Sequence, residues 1–147
     1  MKFEGTVQIA AARDKAWAFL MDPNQVGSCG PGVESIDVID ETHFKAKAKV
    51  GVGFIKAHFS INMEMTDLDA PNHATVKAHG QAPGSAVDGI AQMDLSDGEA
   101  VGTTTMDWSA DVKISGTLAS VGARMIEGTA HKMIDQTFEC IKAKLEA

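Results

Sequence analysis

Apolar and polar residues alternate along most of this chain. In Lys2–Ile9, Phe3, Gly5, Val7 and Ile9 share one face, and Lys2, Glu4, Thr6 and Gln8 share the other. That period of two is a half-buried strand. "ARDKAWAFLMD" breaks the alternation and reads as a short helix, ended at Asp22-Pro23 because proline restricts the residue before it. "PNQVGSC" adds a brief helical turn. From Val33 the alternation returns in "VESIDVI", "HFKAKAKV", "FIKAHFSINMEM", "HATVKAHG", "SAVDGIAQMDL" and "TTTMDWSADVKI". Turn-forming stretches such as "LDAPNH" and "SDGEA" separate them. After Gly116 the spacing changes to three and four: Leu118, Val121, Met125, Ile126, Ala130, Met133, Ile134, Phe138, Ile141 and Leu145. This predicts one amphipathic helix of roughly 25–30 residues, far above the usual length.

The predicted order is strand, one or two short helices, about six strands, long helix. An antiparallel sheet with one polar face, curved around the C-terminal helix, packs these elements economically. The fold class is α+β, and residues 1–147 form one domain. Many inward residues are small: Ala46, Ala48, Ala57, Ala74, Ala78, Gly89, Ala91 and Ala110 alternate with Met, Phe and Trp. A close-packed core fills its volume. The pattern therefore predicts an apolar cavity between sheet and helix, the alternative being close approach of the two layers. Phe44, Phe59, Met63, Met93, Met106, Trp108, Met125 and Met133 are its expected lining, and Gly122, on the sheet side of the helix, is expected to leave room beside the ligand. The alternative for the same residues is ordinary core packing.

Net charge is −7, and the chain contains eight methionines and no tyrosine. Nucleic-acid binding requires a concentrated basic patch, which this balance argues against. The same charge opposes simple electrostatic adhesion of the whole molecule to an anionic membrane. No apolar run has the length of a membrane span and no secretory pattern opens the chain, so a cytoplasmic protein is the default expectation. Methionine suits surfaces that accept variable shapes.

Candidate chemistry is sparse. His43, His58, His73 and His79 fall on outward strand positions, and His131 falls on the polar side of the helix, so a metal site is not expected. Asp22, Glu34 and Asp88 form no readable acid–base couple. Thr104 is the main inward polar residue. Lys45, Lys47 and Lys49 make an outward basic stripe, read as a solvated strand face with partner or head-group docking as the alternative. Cys29 lies in "GSCGPGVES", and two cysteines are too few for a disulfide framework or a metal cluster. The stretch lacks the Lys-Ser/Thr of a phosphate loop, and nothing nearby activates the thiol. It reads as a crossing loop, with Cys29, Gly30, Pro31 and Gly32 at the rim of the cavity.

The element order resembles the helix-grip fold of START and birch-pollen-allergen-like (SRPBCC) ligand-binding proteins. Within it, Asp22-Pro23, "C-x-PG-x-ES" over Cys29–Ser35, "KVGVG" over Lys49–Gly53, "DLD-x-P" over Asp67–Pro71 and the helix run from Gly116 to Gln136 resemble the CoxG family of carbon monoxide dehydrogenase. The resemblance implies a non-catalytic accessory protein with no catalytic residues and no cofactor. It implies a quinone-like or lipid-like ligand in the cavity and a molybdenum hydroxylase of the carbon monoxide dehydrogenase type as partner. It also implies peripheral contact at the inner face of the membrane. Many such proteins continue into a membrane-contacting tail, whereas this sequence stops at Ala147, so cavity binding is the firmer expectation. A helix-grip enzyme of cyclase or hydrolase type, a structural recruitment protein and an assembly factor stay open as alternatives.

Overall fold

Each period-two run folds as a strand in the computed structural model, which describes residues 1–146. Ala147 lies outside the described residues. Strand β1 (Lys2–Ile9) precedes two short helices, α1 (Arg13–Leu20) and α2 (Pro23–Gly27). Then come β2 (Val33–Val38), β3 (His43–Val52), β4 (Ile55–Asp69), β5 (His73–Ala82), β6 (Ser85–Asp97) and β7 (Thr104–Gly116). A 3-10 turn over Thr117–Val121 leads into α3 (Ala123–Leu145). The strands form one seven-stranded sheet in the order β1-β7-β6-β5-β4-β3-β2, antiparallel throughout. From β2 to β7 each strand pairs with its successor through a turn, which antiparallel pairing permits. Only β1 pairs far along the chain, with Phe3 opposite Ala110 and Gly5 opposite Trp108.

Two local features differ from the expectations. The long helix starts at Ala123 and has 23 residues, because Gly122 sits at φ 97°, outside helical backbone. That left-handed conformation suits glycine and interrupts the run. The apolar spacing before it belongs to the 3-10 turn, whose Leu118 is buried. Gly122 is thus the N-cap of α3, not a gap on its sheet side; a Cβ there would meet nothing. Lys142 and Lys144 in the last turn complement the helix dipole.

The second correction concerns the cysteines. Cys29 and Cys140 form a disulfide, with Cα atoms 5.5 Å apart and 111 residues between them in sequence. Cys29 is therefore neither a free thiol nor an open rim residue; it is buried in packed core. Counting cysteines could not reveal the pair, because only the packing of α3 beside the α2–β2 loop brings them together. The loop is also pinned on its other side. A Cβ at Gly32, φ 78°, would collide with the carbonyl oxygen of Lys49, and Lys49 N donates to Gly32 O at 2.8 Å.

The core is split. One cluster joins Ile9, Ala11, Ala16, Phe19, Leu95, Met106, Ile141 and Leu145 at the end of the sheet that receives the C-terminus of α3. The other joins Val52, Phe59, Leu118 and Ile126 at the opposite end, beside the start of α3. Each buried aliphatic side chain contributes about 1.5–3 kcal/mol. Thr104 fastens the first cluster: its hydroxyl donates to Ala11 O at 2.7 Å.

Candidate functional site

Pairing register aligns the inward residues in transverse rows. One row reads Phe44, Met63, Ala78, Gly89 and Val112 across β3 to β7. The next reads Met65, Val76, Ala91, Ala110 and Phe3 across β4 to β1. A third reads Ala74, Met93, Trp108 and Gly5. The first two rows fall between the core clusters. Their middle members, Met63, Val76, Ala78, Gly89, Ala91, Ala110 and Val112, face α3 yet are only half-buried. On the helix, Ala130, Met133, Ile134 and Phe138 share the inner stripe with Ile126 and Ile141 and are likewise half-buried. The helix is gripped at its ends, by Ile126 in one cluster and by Ile141 and Leu145 in the other. Between those grips the facing side chains of sheet and helix are apolar and only half-buried, and several on the sheet are alanine or glycine.

The expected lining residues separate into groups. Phe44, Met63, Met93, Trp108 and Met133 lie on or beside these rows and on the facing helix stripe. Met106, 2% exposed, and Phe59 sit deeper, inside the two packed clusters. Met125 is 48% exposed on the outer side of the start of α3, and Gly122 is beyond the stripe altogether. Val76, Val112, Ile134 and Phe138 lie on the same inner faces without being among the expected lining, although their alternation and helix spacing place them there, and Phe138 packs against the first cluster. Gly30, Pro31 and Gly32 follow the disulfide and lead into β2.

Trp108, in the third row, packs against the first cluster and carries a polar N–H. Its ring tilts at 43° against Phe138, centroids 5.3 Å apart. Gly5 leaves space for it, because a Cβ there would come within 3.0 Å of Trp108 Nε1. Among the described residues that N–H has no hydrogen-bond partner. The inward hydroxyls are committed elsewhere: Thr104 to Ala11 O, and Thr137 to Met133 O at 2.8 Å. No titratable side chain occupies an inward position of the rows above.

Charged chemistry lies on the outer face. A hollow there, of about 620 Å³, is lined by His43, Glu64, Lys77, His79, Asp88 and Lys113 among others. Several of its charges pair within the chain: His79 with Asp88, and His43 with Asp40 and Glu64. Asp40 Oδ1 accepts from the backbone N–H groups of Thr42 and His43. Those bonds and the His43 ring hold the carboxyl down to about 2. Asp22 caps α2, and the Gln25 amide lowers its carboxyl below the usual range. Both groups are solvent-facing turn and cap elements. Among the described residues no three His, Cys, Asp or Glu side chains are arranged to hold a metal ion. No helix of the described residues is long and apolar enough to cross a membrane.

The architecture has many solved counterparts. A conserved protein from Geobacillus kaustophilus is 24% identical, with TM-score 0.91, covering 99% of this chain and 95% of that one. The Zhui aromatase/cyclase from Streptomyces sp. R1128 is 14% identical, with TM-score 0.73 and coverage of 99% and 93%. A START superfamily protein from Mycobacterium smegmatis is 10% identical, with TM-score 0.72 and coverage of 99% and 97%. At these identities the likeness establishes the START-type helix-grip fold alone. A search of curated protein sequences returns no match. The family model for the CoxG subunit of carbon monoxide dehydrogenase matches residues 5–146, essentially the whole sequence, and the chain belongs to the CoxG family.

Proposed function

We propose that this protein binds a hydrophobic small molecule, quinone-like or prenyl-lipid-like, in the cleft between sheet and α3, without transforming it. In this reading it is an accessory subunit of a molybdenum hydroxylase of the carbon monoxide dehydrogenase type, working at the inner face of the membrane where such a ligand resides. The observation that carries the reading is the half-open apolar middle of the sheet–helix interface, set between two packed clusters. Ligand sites of this kind bury most of the ligand against apolar walls and use few polar contacts. Phe44, Met63, Met93 and Met133 contribute those walls, and Met106 and Phe59 close the ends. Trp108 Nε1 offers a donor to a carbonyl oxygen of the ligand. Gly30–Gly32 form the rim on the β2 side, with the disulfide beneath them.

The family name supports the partner. The aromatase/cyclase neighbour raises an enzymatic reading, but acid–base chemistry needs groups converging on the substrate. The Thr104 and Thr137 hydroxyls here donate to backbone carbonyls.

The test is native mass spectrometry, with lipid extraction, of protein purified from its own host, compared with Ala91→Leu. Wild type should carry a quinone or prenyl lipid. The leucine should fill the cleft, abolish the bound mass and leave the melting temperature unchanged or higher. In a close-packed core the same enlargement costs about 1–3 kcal/mol. Empty wild-type protein, or a fully loaded Ala91→Leu variant, would overturn the assignment.

A further inference from the structure

The sheet ends at two strands, β1 and β2, each paired on one side only. Ile39 N donates to His43 O at 2.9 Å, and Met65 N donates to Thr42 O at 2.8 Å. Along an antiparallel pair, residues that exchange backbone bonds alternate with residues that do not. Odd-numbered residues of β3 therefore turn their backbone groups to β2, and even-numbered ones to β4. On β2 the ladder uses Ser35 and Asp37, opposite Lys47 and Lys45. The N–H and C=O groups of Ile36 and Val38 point away from β3, to the side where the sheet ends. Among the described residues nothing pairs with them there.

The first half of β2 is protected. A Cβ at Gly27 of α2 would collide with Ile36 Cδ1, and the ladder is irregular between Val33 and Ser35. The second half is bare: Val38 is 49% exposed and Ile39, which follows it, 58%. Glu34, Asp37, Asp40 and Glu41 stand along this edge and its turn, all exposed. Glu34 and Asp40 face His58 and His43, whereas Asp37 and Glu41 take part in no ion pair among the described residues. Lys45 and Lys47 lie one strand further in. Free backbone groups at an edge recruit another strand, so such edges are usually blunted. A second copy of β2 that used both Ile36 and Val38 would set Asp37 opposite Asp37, and like charges directly opposed destabilise a strand pair. The other edge differs: β1 exposes no large apolar residue and carries Lys2 beside Glu4.

We propose that residues 36–39, at the open edge of β2, dock an extended basic segment of a partner protein, which adds a strand to the sheet. The segment's backbone pairs with Ile36 and Val38, its apolar side chains meet Val38 and Ile39, and its cations meet Asp37 and Glu41. The test is fluorescence anisotropy of the full chain with a labelled, end-blocked heptapeptide that alternates lysine with valine. Saturable binding is expected, falling as salt is added. N-methylating alternate backbone nitrogens of the peptide, or exchanging its lysines for glutamates, should weaken binding about tenfold or more. Val38→Pro removes one outward N–H and spares the β2–β3 ladder. It should weaken binding about tenfold with an unchanged melting temperature. Asp37→Lys should weaken the basic peptide comparably and admit the glutamate one. Glu99→Lys, in the β6–β7 turn, should leave binding unaltered. No saturable binding, equal binding of the N-methylated peptide, or indifference to both Val38→Pro and Asp37→Lys overturns the proposal. So does a wild-type dimer that Val38→Pro dissolves, since a second copy would then occupy the edge.

Discussion

The last two turns of α3 and its middle meet the same sheet in different ways. Near the C-terminus, Ile141 and Leu145 are buried against Ile9, Leu95 and Met106, and Cys140 is bonded to Cys29. Two turns earlier, Met133 and Ile134 face Ala78, Gly89, Ala91 and Ala110 without belonging to either core cluster. Both regions obey the same helix spacing and the same strand alternation. They differ in the size of the residues opposite. Where the sheet presents leucine, isoleucine and methionine, the layers interlock in a buried cluster; where it presents alanine and glycine, the facing side chains stay half-buried. Tight packing is thus concentrated at the two ends of one helix.

That contrast is breakable in three steps. The largest effect should come from the disulfide. A cross-link joining residues 111 apart restricts the unfolded chain, and losing such a bridge typically costs about 2–5 kcal/mol. Cys29→Ser combined with Cys140→Ser, or a dithiol reductant, should lower the calorimetric melting temperature markedly. An unchanged melting temperature would remove the tether from the account. Next, Ile141→Ala should cost about 2–5 kcal/mol in urea denaturation, as buried large-to-small changes do. Met133→Ala, facing the cleft, should cost about 1 kcal/mol or less. Equal losses would mean that the middle of α3 is packed as tightly as its end. The smallest effect concerns pH at a turn remote from both regions. The Asp40 carboxyl, held down to about 2 by the N–H groups of Thr42 and His43, helps folding only while ionised. Its contribution is complete above the ordinary carboxylate pKa and disappears as pH falls through about 2. Melts of wild type and Asp40→Asn should differ slightly near about pH 5 and converge near about pH 2. A difference that persists in acid would show that Asp40 acts through something other than its charge.

Much of the architecture was legible because alternation encodes a strand and its inward face directly. Phe44, Ala46 and Ala48 could be assigned to the inner side of β3 before any tertiary contact was known. The histidines were legible on the same grounds, as were the small residues of the inner face. Position along the interface was harder to read. Met106 and Met63 look equivalent in sequence, each apolar and inward on a long strand. One is deep in a cluster and the other half-buried between the clusters because the register sets different neighbours across the sheet. Phe59 and Met125 also look alike in sequence, yet one is buried in a cluster and the other exposed.

What the chain determined by itself is local: period, turn chemistry, residue volume and the sign of charge. These suffice for a sheet that curves around a helix and for an inner face rich in small residues. Tertiary structure decided whatever depends on residues far apart meeting. It brought Cys29 to Cys140, committed the Thr104 hydroxyl to Ala11, and set the start of α3 at Gly122. It also left β2 at the open edge of the sheet, with Ile36 and Val38 turning their backbone groups outward. Alternation specifies which face a side chain takes, but only register and the docking of α3 specify what stands opposite it.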